Sequence, residues 1–187
     1  MGLIFDTEAL QSKGSSSWGE YREIAGISLA CTINTDNGIP VFYSNDDEDS
    51  TGHSIKDFAR DLEEADFIVG YNSEWYDIPV LEATLGRGVN PKQHIDFYLR
   101  IKDALNGERW GKGAWKLDRV GMDTIGIGKT SVAGAFAPSL WRDRRFGELF
   151  TYCYRDVWVL WKLYEHVKCD GWVVDPEGGK LYVDVGR

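Results

Sequence analysis

Residues 3–8, Leu-Ile-Phe-Asp-Thr-Glu, put two acids at the end of an apolar strand. Side chains two apart on a strand point to the same face, roughly 6.5–7 Å apart along it. Asp6 and Glu8 therefore stand side by side, where like charge and lost solvation both oppose ionisation. Solvent, a covering loop or a cation must relieve them. Any fold for this chain has to bring one of these three to the end of its first strand.

The rest of the chain alternates strand and helix signals. Residues 23–33 and 39–44 read as strands joined by Asn34-Thr35-Asp36-Asn37-Gly38, which predicts an antiparallel hairpin. Residues 11–20, with Gly14-Ser15-Ser16-Ser17, read as a surface loop. Between 54 and 65, Ile55, Phe58, Ala59 and Leu62 recur at helical spacing behind Ser54 as N-cap. A short buried strand at 67–71 leads to a helix over 77–85, whose first turn holds Pro79. Residues 94–105 read as a short strand or turn entering a helix. The stretch 107–128 is rich in Gly, Trp, Lys and Arg, with one helix at 117–125. A long helix spans 146–167, and a closing hairpin turns at Pro176 to Gly179. The expectation is one α/β domain over 1–187, with the hairpin from about residue 170 appended to it.

Composition narrows the classes. Of 187 residues, 43% are hydrophobic and 13% aromatic, enough for a sizeable core rather than a disordered chain. No run of about 18 apolar residues is present, which argues against a membrane-spanning helix. The N-terminus lacks the basic region and cleavage site of a signal peptide. Cys31, Cys153 and Cys169 are scattered, so neither a disulfide framework nor a zinc site is indicated, and a cytoplasmic location is expected. The net charge of −9 argues against broad, nonspecific binding to nucleic acid. It is compatible with an enzyme whose acids gather around cations. The acidic run 45–49 reads as a solvated loop.

Two further acids raise the same question as Asp6 and Glu8. Asp77 follows the strand at 67–71, and sites in open α/β sheets form at the carboxyl ends of strands. Asp is also a favoured helix cap, which would explain it without chemistry. Tyr152 and Asp156 are four apart on a strongly apolar helix and share a face. That face can be buried, where Asp156 needs a partner, or turned to solvent beside Arg155. Taken together, Asp6, Glu8, Asp77 and Asp156 could hold two divalent cations about 3.5–4 Å apart. Oxygen donors suit hard ions such as Mg²⁺ or Mn²⁺.

The motifs FDTE (5–8), NSEWYD (72–77) and YCYRD (152–156) stand in one order along the chain. In them the chain resembles the DEDD superfamily of 3′–5′ exonucleases. Thr at 151 and Tyr at 152 are similar to the tyrosine branch, DEDDy, and the surroundings are similar to a YprB-like group of stand-alone predicted exonucleases. The resemblance implies a ribonuclease-H-like, mixed five-stranded sheet flanked by helices, with the small C-terminal hairpin. It implies two Mg²⁺ or Mn²⁺ ions: Asp6, Glu8 and Asp156 would hold one, Asp6 and Asp77 the other. Tyr152 would orient or deprotonate the attacking water. The substrate implied is a nucleic-acid 3′ end, single-stranded, of DNA or RNA, with a polymerase or helicase partner left open.

Substrate contacts are expected from Asn72, Trp75 and Tyr76, whose aromatic faces suit bases, although Trp75 is equally a core residue by type. Lys112, Lys116, Arg119, Lys129, Arg142, Arg144 and Arg145 form the largest basic concentration. They would track a phosphate backbone or form a paired, solvated surface. Three other classes share parts of the pattern. A haloacid-dehalogenase-like phosphatase begins with DxD, where this chain has Glu8. A ribonuclease-H-type endonuclease has the same fold. A non-catalytic binding module would usually have lost one of the four acids.

Overall fold

The computed structural model describes residues 1–14, 17–45, 51–107, 113–128 and 136–186. Five strands form one mixed sheet: β1 (Gly2–Ala9), β2 (Ile27–Asn34), β3 (Pro40–Ser44), β4 (Phe67–Gly70) and β5 (His94–Asp96). Their order is β3-β2-β1-β4-β5. β1, β2 and β3 pair antiparallel, whereas β4 runs parallel to β1 and β5 parallel to β4. The strand carrying Asp6 and Glu8 is thus the central one.

Alternation along β1 sends its residues into two cores. Ile4 joins Cys31, Ile33, Val69 and Ile95 beneath the long helix α7 (Phe146–Asp170), which contributes Leu149, Cys153, Leu160 and Leu163. Leu3 and Phe5 face the other way, against Phe58 and Leu62 of α2 (Ile55–Glu64) and Val80 and Leu81 of α3 (Asp77–Leu85). Each face of a half-apolar strand is covered by a helix, which is the arrangement that buries both. The α/β sandwich follows directly.

Most expected elements form where their periodicity places them. Ser54 caps α2 through a reciprocal pair with Asp57, and α4 (Phe97–Ala104) follows β5 without a break. α5 (Leu117–Ile125) packs on α7, and the C-terminal strands β6 (Trp172–Val174) and β7 (Lys180–Tyr182) form the small hairpin. Two elements differ. The expected loop 11–20 ends early, its last three residues opening a helix, α1 (Trp18–Ile24), and the strand expected from 23 begins only at Ile27. Ser17 and Glu20 form a capping box there, so Glu23 and Ile24 finish a helix instead of starting a strand. A six-residue helix, α6 (Ala137–Arg142), also stands in the stretch between α5 and α7. Residues 46–49 of the expected acidic loop, with Lys112 and Lys129, lie outside the described residues. Among the described residues, no helix is long and apolar enough to cross a membrane.

Candidate active site

β1 delivers its acids where its pairing becomes irregular. The register to β2 shifts between Glu8 and Ala9, and the Ser28 hydroxyl donates to the Glu8 carbonyl at 3.0 Å and the Ala9 carbonyl at 3.3 Å. A bulge at this point ends the regular ladder and re-aims the side chains beside it. Asp6 is half-buried and Glu8 buried, both on the face covered by α7.

α7 crosses that face with Tyr152 and Asp156 one turn apart, both buried. The solvent-facing alternative for Asp156 is therefore wrong: its side of the helix is the packed side. Cys153, between them, brings its thiol against the Asp6 carbonyl at 3.9 Å. Ligand atoms of Asp6, Glu8 and Cys153 all lie within 4.8 Å of one another, a grouping able to hold a metal ion. Burial pushes the Tyr152 phenol well above its ordinary range, and the negative charges of Glu8, Asp156 and Asp6 push it further. The hydroxyl is held in its protonated form and hydrogen-bonds Asp156.

Asp77 comes from the opposite direction. It is the first residue of α3 and is buried, with Tyr76, not Asp77, in the cap position. The capping explanation for Asp77 thus fails. Thr7 reaches across to donate its hydroxyl proton to Asp77 Oδ1 at 2.5 Å. Burial raises the Asp77 carboxyl to about 6; the Thr7 hydrogen bond works downward, and the charge of Asp96 works upward.

The turn that carries Asp77 is pinned by a residue the sequence did not single out. Asp96, at the end of β5, accepts from the backbone N–H of Asn72 and of Glu74, each at 2.9 Å. The same carboxylate accepts from Tyr98 and Leu99 N–H at 3.0 and 3.2 Å, capping α4. Asn72 sits at φ +60°, a left-handed conformation that Asn tolerates better than most residues. Asp96 was legible as a helix cap. Its reach to another strand's turn was not, because that needs the parallel pairing of β4 with β5.

The four acids and Tyr152 meet in one cleft of about 650 Å³, while Asp96 and Cys153 stand behind its lining. Asp6, Glu8, Asp77, Asp156 and Tyr152 line it, together with Asn72, Trp75 and Tyr76. Lys13 and Trp18, from the segment expected to be a plain loop, line it too, as does Pro138 of α6. Among the described residues, none of the basic positions expected to track a backbone lines the cleft. Arg142 is outside the cleft lining and lies 3.3 Å from Asp143, while Arg119 pairs with Asp123 and Arg145 with Glu148. The paired-surface alternative describes these residues. Chemically, the donor set fits a hard cation: four carboxylates, three of them buried, reach one cavity from three elements. Burying such charges costs several kcal/mol for each ion unless a counter-charge or protons offset them.

Residues 3–168 match a family model, RNase_H_2, described as RNase_H superfamily. The chain belongs to the RNase H superfamily. Its fold is shared with the family B DNA polymerase from the hyperthermophilic archaeon Pyrobaculum calidifontis, at a TM-score of 0.66 and 22% identity. That similarity covers 89% of this chain but 24% of the polymerase, so the chain spans about a quarter of that protein's length. No curated protein gives a significant match.

Proposed function

We propose that this RNase H superfamily member is a metal-dependent 3′–5′ exonuclease of the tyrosine branch, hydrolysing the terminal phosphodiester of single-stranded DNA or RNA. One observation carries the proposal. Acids far apart in sequence, Asp6, Glu8, Asp77 and Asp156, line a single cleft together with Tyr152. A structural role accounts for one or two buried carboxylates, but not for four around a void.

In the reaction, water adds to phosphorus, the bond to the 3′ oxygen breaks, and a nucleoside 5′-monophosphate leaves. Asp6, Glu8 and Asp156 would hold one divalent ion, Mg²⁺ or Mn²⁺, and Asp6 with Asp77 a second. Bound, these ions supply charge neutralisation and Lewis-acid polarisation of the phosphodiester. Tyr152, protonated at neutral pH, orients the attacking water by hydrogen bonding. Thr7 and Asp96 hold Asp77 and its turn in place.

The test uses 5′-labelled and 3′-labelled DNA and RNA strands with Mg²⁺ or Mn²⁺. The expected result is stepwise shortening from the 3′ end, abolished by EDTA, Asp6→Ala or Asp156→Ala with the fold retained by circular dichroism. Tyr152→Phe should slow turnover about 100-fold, the lower end of acid–base contributions. Circular single strands should survive. Their cleavage would point to an endonuclease instead, and activity in EDTA would remove the metal scheme.

A further inference from the structure

The turn between β4 and α3 carries Asp77 into the cleft, and a second side chain ties that turn to β5. Ser73 is fully buried, and its hydroxyl lies 2.9 Å from His94 Nε2. Strand alternation sets His94 and Asp96 on one face of β5, with Ile95 on the other beneath α7. Asp96 accepts from the N–H groups of Asn72 and Glu74, and His94 pairs with the hydroxyl of the residue between them. Three successive residues of the turn are thus held by two residues of one strand.

Both neighbours of Asp77 hang from this point. The Asn72 carbonyl accepts the Tyr76 N–H at 3.2 Å, and the Ser73 carbonyl accepts the Ile78 N–H at 3.0 Å. Serine hydroxyls commonly bond a backbone group nearby in the chain. Ser73 instead reaches a side chain 21 positions away. Gly70 makes the reach possible, because a Cβ there would collide with the Ser73 side chain and press on the Phe5 ring. That ring stands 6.1 Å from the imidazole of His94, so His94 also packs against the residue before Asp6. Burial pushes His94 below its ordinary 6.5, while the charges of Glu74 and Asp96 work upward. The half-buried ring is therefore neutral at neutral pH, and Nε2 accepts from Ser73 or donates to it according to the tautomer.

Resting on the nuclease reading above, we propose that Ser73 and His94 are positioning residues for Asp77. Their hydrogen bond sets the turn so that the carboxylate enters the cleft where Thr7 meets it. Neither residue lines the cleft, so each acts on a bound cation only through Asp77. The role belongs to one half of the site. Asp6, Glu8 and Asp156 stand on β1 and α7, which this turn does not carry. Loss of the Ser73–His94 bond therefore weakens the cation held by Asp6 and Asp77 and spares the one held by Asp6, Glu8 and Asp156. Removing a group that orients a metal ligand costs about 10- to 100-fold in affinity.

Two measurements on the intact chain test this. In metal-free protein, amide exchange read by mass spectrometry reports the turn. Ser73→Ala and His94→Leu should each speed exchange over residues 71–77 about 2- to 10-fold, the range for one lost hydrogen bond, and leave α2 unchanged. His94→Gln, whose amide can accept or donate, should stay within about twofold of wild type. Mn²⁺ binding, counted by electron paramagnetic resonance, reports the site. Wild type should bind two ions. Ser73→Ala and His94→Leu should weaken one of them about 10- to 100-fold and leave the other within about twofold, with His94→Gln recovering the loss. Unchanged exchange in Ser73→Ala overturns the assignment, as does equal weakening of both ions or a His94→Gln protein no better than His94→Leu. Exchange and cleavage fail separately. The expected exchange in a protein that binds no Mn²⁺ and trims no strand would sink the nuclease reading and leave the hold on Asp77 standing. Trimming of 3′ ends by Ser73→Ala at the wild-type rate would do the reverse.

Discussion

Asp96 satisfies four backbone N–H groups from two segments while itself buried at the end of β5. Asp96→Ala leaves those donors in a buried setting, at about 1–3 kcal/mol for each that water cannot reach. The variant should lose on the order of 2–4 kcal/mol in urea unfolding, and its kcat should fall at least tenfold because the Asp77 turn loosens. Asp96→Asn keeps one acceptor oxygen and should recover part of both. Asp77 itself predicts a pH effect in metal-free protein. Its folded carboxyl titrates at about 6 against an ordinary 3.8, raised first by burial. Between those values the folded chain keeps a proton that the unfolded chain gives up, so this group's contribution falls as pH rises through the window. It is fully present below about pH 4 and gone above about pH 6. In EDTA, wild type should therefore lose stability relative to Asp77→Asn across pH 4 to 6, by on the order of 1–3 kcal/mol. Urea titrations of both proteins at several pH values measure the difference.

Elements that carry a long periodic signal were legible before any coordinates. β1, α2 and α7 announce themselves by alternation or by helical spacing, and the two acids of β1 pointed to the right end of the right strand. α1 was not read, although Ser17 and Glu20 spell its capping box, because the Gly-Ser run in front of it looked like a loop continuing. α6 holds six residues, too few to display a period. Thr7 and Asp96 escaped for a different reason. Their roles are contacts across the sheet, and sequence neighbours do not encode those. The same limit applies to Gly70, the last residue of β4. A Cβ there would come within 2.1 Å of Ser73 Oγ and 2.4 Å of Ser73 Cβ, so the chain must turn tightly at this point. Gly70→Ala should cost about 1–3 kcal/mol, as overpacking does. It should also speed amide exchange over residues 71–77 more than in α2, which mass spectrometry of exchanged peptides would show.

At the scale of the molecule, the sheet order makes β1 a shared wall. One core lies beneath α7 and the other beneath α2 and α3, while the cleft opens where the central strand ends between them. Ions bound there would bridge α7 and α3 through β1, linking both layers to occupancy. Mn²⁺ at a hundred times its Kd should add about 2.7 kcal/mol to unfolding. The accompanying rise in melting temperature should vanish in Asp6→Asn, as read by calorimetry with and without the ion. Surface cations matter less at this scale. Arg119, Arg142 and Arg145 each have a neighbouring acid, so substituting them should leave strand affinity near wild type.

The cleft is sewn from distant parts of the polypeptide: the Cys153 thiol, one residue from Tyr152, touches the Asp6 carbonyl across 147 positions. A ribosome that has translated the whole central sheet has still produced nothing that closes over β1 from that side. The acidic cleft is therefore incomplete until α7 has been synthesised and packs against β1.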